Sequence, residues 1–176
     1  DVTQSGAVLS HIGFLASDPD YPAMDVYENL LGGGFQSRLF NKIRTERGLA
    51  YAAGASAGSN YTRPGTFSAF TLTRSESTMV ALGLLRSEIE RSLKEPLGDD
   101  EVKRAKESVL NSLVFAYAEP SAAANRAAYY EAIGYPKDFL FQYQKAITAV
   151  TRADELRAAK EHIHPEELAI VTVGNP

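Results

Sequence analysis

Strand-forming runs stand near both ends of this chain and helical periodicity fills most of the middle, an order that limits the architecture more than any other feature. Gly6 to Ala16 is rich in strand formers and closes at the turn cluster Ser17-Asp18-Pro19. Leu168 to Val173 is a continuous β-favouring apolar run, the pattern expected of a central strand covered on both faces. Leu49 to Gly58 and Thr66 to Thr73 flank the turn residues Asn60 to Gly65 and read as an antiparallel hairpin. No βαβ alternation occurs, which disfavours a doubly wound nucleotide-binding fold. The expectation is an α+β two-layer sandwich, with a mixed or antiparallel sheet of about four or more strands and helices packed on one face.

The helices are spaced by their stop and start signals. Asp20 is placed to cap a helix carrying Met24, Tyr27, Leu30 and Leu31, which Gly32-Gly33-Gly34 ends. A second helix has Leu39, Phe40 and Ile43 on one stripe, and Gly48 sits where a left-handed C-cap glycine belongs. Ser75 is expected to cap a helix burying Leu82, Leu85, Ile89 and Leu93, ending before Pro96. Asp99 or Asp100 is expected to cap the next, with Val102, Ala105, Val109, Leu113 and Ala116 inward and its end before Pro120. Three shorter helices follow, at about 121–133, 138–149 and 153–162, the last capped by Thr151.

Residues 1–176 hold no linker and no repeat, so one domain with one core is expected. The chain starts at Asp1 rather than Met and stops just after an apolar run, so it reads as a fragment of something longer. Its 18 Lys and Arg against 22 Asp and Glu leave a charge of −4, and no basic patch is interleaved with aromatics, which argues against a nucleic-acid partner. Apolar runs are far shorter than the ~18 residues that span a bilayer, so no membrane partner is expected. With no cysteine, disulfides and thiolate metal sites are excluded, and neither cytoplasm nor periplasm is selected.

Four groups of residues invite chemistry. Gly32-Gly33-Gly34 before a helix suggests an anion-binding loop, but no strand precedes it and no Lys-Ser or Lys-Thr follows, so a tight turn with positive φ is the plainer reading. His11, His162 and His164 do not form His-Glu-x-x-His or His-x-x-Glu-His, although His162 and His164 with Glu166 and Glu167 close behind suggest a loose His-x-His-x-x-Glu set; their place at a helix C-terminus beside Pro165 suits surface histidines better. Asp99-Asp100-Glu101 lie at a helix start and suit its dipole. Arg44, in the last turn of the second helix, and Tyr51, early in the following strand, can point to one side across Gly48. A guanidinium beside a phenol suits a carbonyl oxygen, an oxyanion or a carboxylate. From spacing alone, however, packing of the Arg44 stem and burial of the Tyr51 ring are preferred.

The stretch Leu31-Gly32-Gly33-Gly34-Phe35-Gln36-Ser37-Arg38-Leu39-Phe40-Asn41-Lys42-Ile43-Arg44-Thr45-Glu46-Arg47-Gly48-Leu49-Ala50-Tyr51 closely resembles the C-terminal, non-zinc half of pitrilysin-like (insulinase-type) metallopeptidases, among them mitochondrial processing peptidase. Ser17-Asp18-Pro19-Asp20-Tyr21, Tyr129-Tyr130 with Gly134-Tyr135, and Val171-Thr172-Val173-Gly174 extend the likeness over nearly the whole chain. The resemblance implies a non-catalytic domain, inert alone. It would bind no cofactor itself and would pair with a zinc-bearing His-x-x-Glu-His domain, in the same chain or as a heterodimer, to hydrolyse a peptide substrate. Arg44 and Tyr51 match the Arg and Tyr with which such domains reach the substrate. The competing expectation is an inert structural subunit like the respiratory-complex core proteins. An anion-binding module at the triple glycine is a third.

Overall fold

Gln4–Ile12, centred on the apolar run Ala7-Val8-Leu9, forms strand β1, in which every second side chain, Ser5, Ala7, Leu9 and His11, is buried. The computed structural model describes residues 3–95 and 98–174. Strands β2 (Ala50–Gly58), β3 (Thr66–Arg74) and β4 (Ala169–Val173) join β1 in an open sheet of order β2-β3-β1-β4. Every pairing is antiparallel, and β2 with β3 is the hairpin the turn residues predict.

One face of the sheet carries the helices. Ala53, Ala55 and Ala57 of β2 and Phe67, Ala69 and Thr71 of β3 are buried there. Small side chains let helix α1 (Tyr21–Gly32) approach β2 closely, while α2 (Thr78–Ser92) lies over β3 and β1. Helix α1 buries Met24, Val26, Tyr27, Leu30 and Leu31, and α2 buries Leu82, Leu85 and Ile89, all in one contiguous apolar core. On the opposite face Phe70 and Leu72 are partly exposed. Helices α3 (Asp99–Ala116), α5 (Phe139–Ala149) and α6 (Arg152–His162) pack against α1 from outside. Helix α4 (Pro120–Ile133) buries no side chain and ends at Gly134, whose φ is +88°.

The two edges of the sheet are treated differently. On β2, the outward N–H of Ala57 donates to Glu28 Oε2 at 2.9 Å, and the end of α1 closes over Gly54 and Ala55. That edge is blunted against further pairing. Strand β4 is the other edge, and all five of its residues are exposed. The expectation of a central strand at 168–173 is therefore wrong: the run is apolar, but it pairs with β1 alone and the helical layer barely reaches it.

Several local expectations also shift. Strand β1 ends at Ile12, and Phe14 to Ala16 continue as a loop held by the hydrogen bond from Ala16 N–H to the Asn60 carbonyl at 2.8 Å. Ser75 opens a short 3₁₀ turn, and α2 starts only at Thr78. Pro96, the expected stop for that helix, lies outside the described residues. Helix α3 begins at Asp99 without an aspartate cap, because the Glu101 carboxylate accepts the Gly98 N–H at 2.9 Å. Thr151 does cap α6, exchanging bonds with Asp154. Asp20 does not cap α1 with its side chain. It instead receives both terminal nitrogens of Arg157, at 2.8 and 2.5 Å, and lies 3.2 Å from His162 Nε2, tying the start of α1 to α6. The Arg157 bonds hold its carboxyl below the usual range.

The triple glycine is a turn, but for a different reason from the one expected. Positive φ among the described residues occurs only at Gly48 (+61°) and Gly134. Gly32 is required because a Cβ there would lie 1.8 Å from the Ala55 nitrogen, and one at Gly33 would lie 2.6 Å from the Asn29 Cα. Gly32 permits helix and strand backbones to touch, and Gly33 lets the chain turn tightly against the last turn of α1.

Candidate functional site at the Arg44 and Tyr51 edge

The segment after the glycine turn winds as a π-helix over Phe40–Thr45, continued by the bond from Glu46 N–H to the Asn41 carbonyl at 2.8 Å. Leu39 and Ile43 are fully buried and anchor one side of it. The remaining turn faces outward. Gly48 then reverses the chain in the left-handed conformation, as its position predicts. Wide turns of this kind are often found at functional sites.

Strand β2 starts with an irregularity. Ala50 pairs with Thr73 and Ala52 with Leu72, so Tyr51 is an extra residue opposite no partner, a β-bulge. Thr73 Oγ1 donates to the Leu49 carbonyl and Thr71 Oγ1 to that of Ala52, bracketing the bulge from the neighbouring strand. The Tyr51 ring is 73% exposed. Burial of this ring, the packing role preferred from spacing, is thus excluded.

Arg44 and Tyr51 do meet. The Arg44 guanidinium carbon lies 5.6 Å from the Tyr51 ring centroid and 4.8 Å from that of Phe40, one helical step before it. Phe35 meets the Phe40 ring edge-on at 5.1 Å. Aromatic faces hold the cation by its flat side, worth about 0.5–1 kcal/mol at an exposed site, and leave its N–H edges free to donate. Among the described residues the Arg44 nitrogens and the Tyr51 hydroxyl have no hydrogen-bond or ion-pair partner. Of the other arginines, Arg47 is exposed, while Arg38 turns inward to a bidentate pair with Glu101 at 3.2 and 3.1 Å. Glu101 therefore does more than complement a helix dipole. Burial would raise its carboxyl, but Arg38 and the Gly98 N–H outweigh this and lower it. The role of Phe40 as a shelf for Arg44 was missed from the sequence, although its i, i+4 spacing is a readable signal.

The histidines lie elsewhere. His11 is a buried structural residue: its Nδ1 is 2.7 Å from the Ile12 carbonyl, and its Nε2 accepts the His164 N–H at 3.3 Å. His162, expected at the surface, is partly buried against Asp18 and Asp20, and these three form the one potential metal-ligating group among the described residues. Arg157 already grips both oxygens of Asp20, so the set suits its own cation better than a tetrahedral zinc. Metal analysis of the dialysed chain is expected to find substoichiometric zinc, and one firmly held atom per chain would contradict this.

A sequence profile of the peptidase M16 inactive domain matches residues 2–109. This chain belongs to that family. An uncharacterized zinc protease of Streptomyces coelicolor is 28% identical over 171 residues, which is 97% of this chain and 37% of the relative. The Helicobacter pylori protein YmxG, named a non-peptidase homolog, is 26% identical over 147 residues, 83% of this chain and 34% of its own. The crystal structure of a peptidase M16 inactive domain from Pseudomonas fluorescens superposes with a TM-score of 0.87 at 24% identity, covering 96% of this chain and 40% of that one. The inactive domain described here thus spans a third to two-fifths of the length of these proteins, and the resemblance read from Leu31 to Tyr51 is borne out at the level of family and fold.

Proposed function

We propose that this inactive domain is the non-catalytic partner of a zinc-bearing His-x-x-Glu-His domain and presents Arg44 and Tyr51 to a peptide held between the two. The observation that carries this is the pair itself: two strong donors side by side, exposed, and with no hydrogen-bond or ion-pair partner among the described residues. Attack on a peptide carbonyl places negative charge on its oxygen, and pre-aimed donors stabilise that charge more than they stabilise the neutral substrate. Arg44 supplies a fixed positive charge and Tyr51 a single hydroxyl. The metal would belong to the other domain, since the one candidate donor set among the described residues, Asp18, Asp20 and His162, is already engaged by Arg157.

The test is peptide hydrolysis by the zinc-bearing domain with and without this chain. Turnover is expected to need both. A zinc-bearing domain fully active alone would overturn the proposal. The likeness to a relative named a non-peptidase homolog favours a second reading, an inert structural subunit. On that reading the two domains would associate without hydrolysing any peptide.

A further inference from the structure

Between the glycine turn and α3 lies a cavity of about 300 Å³. One wall is the turn itself, where Gly33, Gly34, Phe35 and Gln36 are all exposed, and the other includes Glu101, Arg104 and Ser108 of α3. Phe35 joins this cavity to the candidate site. Its ring packs edge-on against Phe40, and Phe40 in turn carries the Arg44 guanidinium. The steps are 5.1 Å between the two ring centroids and 4.8 Å from the Phe40 centroid to the guanidinium carbon. About three extended residues, at roughly 3.3 Å each, would therefore span the distance from a carbonyl at Arg44 to the cavity wall.

Both signs of charge line the cavity, but one of them is already matched. Glu101 accepts Nε and Nη2 of Arg38 at 3.2 and 3.1 Å and the Gly98 N–H at 2.9 Å. Arg104 is exposed and has no hydrogen-bond or ion-pair partner among the described residues, Asp100 one turn before it included. Arg38, Glu101 and Arg104 together leave one unmatched positive charge. The polar groups around it also lack acceptors. The N–H groups of Gly34, Phe35 and Gln36 donate to nothing among the described residues, and neither does the Gln36 side-chain amide. Ser108 Oγ accepts from Asn29 at 3.1 Å, which leaves its own hydroxyl proton to donate. A carboxylate only accepts, at about four lone-pair sites, so it complements a guanidinium set among N–H and O–H groups. We propose that this cavity is a subsite for an acidic side chain of the peptide, about three residues along from the carbonyl that Arg44 and Tyr51 receive, and that Arg104 selects it. The inference rests on the role proposed above for that pair. Glutamine in the same place would leave the guanidinium unmatched, and lysine would be repelled by it.

The test uses C-terminally amidated peptides that differ only in Glu or Gln, placed two to four residues to either side of the cleaved bond. With the chain paired to its zinc-bearing domain, kcat/KM should favour Glu at least about fivefold at one of these positions. Arg104→Gln should bring that ratio to near one, and Arg104→Glu should turn the preference towards Lys. A ratio unchanged in Arg104→Gln, or no preference for Glu at any position, would overturn the inference. A second measurement needs neither hydrolysis nor Arg44. With only this chain isotope-labelled in the pair, N-acetylglutamate α-amide, whose one charge is its side-chain carboxylate, should shift the NMR signals of the Arg104 Nε–H and of the Gly34 and Gln36 amides to saturation. N-acetylglutamine α-amide should not. Equal shifts from both compounds, or shifts from the glutamate compound that persist in Arg104→Gln, would overturn the subsite. Full activity of the Arg44→Ala, Tyr51→Phe double variant would overturn the role of that pair instead, and the NMR titration would still decide whether Arg104 receives a carboxylate.

Discussion

Gly32→Ala is expected to lower stability by about 3 kcal/mol or more, the upper range for forcing an atom into a filled site. The added Cβ would lie 1.8 Å from the Ala55 nitrogen and 2.6 Å from its Cα and Cβ, so the obstacle is strand backbone that cannot rotate aside. Relief would require lifting α1 from β2, where Glu28 also blunts the sheet edge. For a chain of this length the loss corresponds to roughly 10 °C in Tm. Gly34→Ala is the matched control, because its Cβ would meet nothing within 4 Å and its φ is not positive. It should melt within about 2 °C of wild type. Equal melting of the two variants would show that the close approach of α1 to β2 is not what the triple glycine serves.

The double variant Arg44→Ala, Tyr51→Phe should fold and associate normally, since both side chains are exposed and neither belongs to the core. Turnover of the paired enzyme should nevertheless fall by roughly 10²–10³-fold, the usual cost of removing an oxyanion donor. If the pair acts chiefly on the transition state, kcat and kcat/KM should fall together. If it only holds the peptide, KM should rise while kcat survives. The single variants are not expected to add, because Arg44 rests on the Tyr51 ring and each loss disturbs the other. Tyr51→Phe keeps that ring and isolates the hydroxyl. Undiminished activity in the double variant would return both residues to a purely surface role.

The legibility of this chain follows the range of the interactions concerned. The hairpin, the Thr151 cap and the left-handed Gly48 were readable because each is decided within a few residues. A mixed or antiparallel sheet of about four or more strands with helices on one face followed from element order, and the pairing shows it to be four-stranded and wholly antiparallel. What escaped was decided at a distance. The apolar run 169–173 looks the same whether a sheet ends or continues beside it, and only the pairing order shows an edge. The glycine turn reads as a demand for positive φ, whereas the reason is Ala55, more than twenty residues away. At the site, the meeting of Arg44 and Tyr51 was foreseeable across Gly48, and the exposure of Tyr51 was not. No glycine marks the bulge, and a tyrosine between alanines in a strand is as often inside as outside.

The bulge at Tyr51 makes the chemistry proposed for this domain separable from its architecture. Side chains alternate along a strand with a period of two, so an insertion normally exchanges inside for outside from that point onward. Here the supernumerary residue absorbs the offset locally, and Ala53, Ala55 and Ala57 keep their inward places. Tyr51 can therefore change identity without the helical layer registering it, and the same holds for Arg44 on its outward turn. Within one lineage, a copy that binds peptide and a copy that merely scaffolds would differ at a few exposed positions while sharing an unchanged core. A tyrosine carried as an extra residue is easy to keep under selection and equally easy to shed.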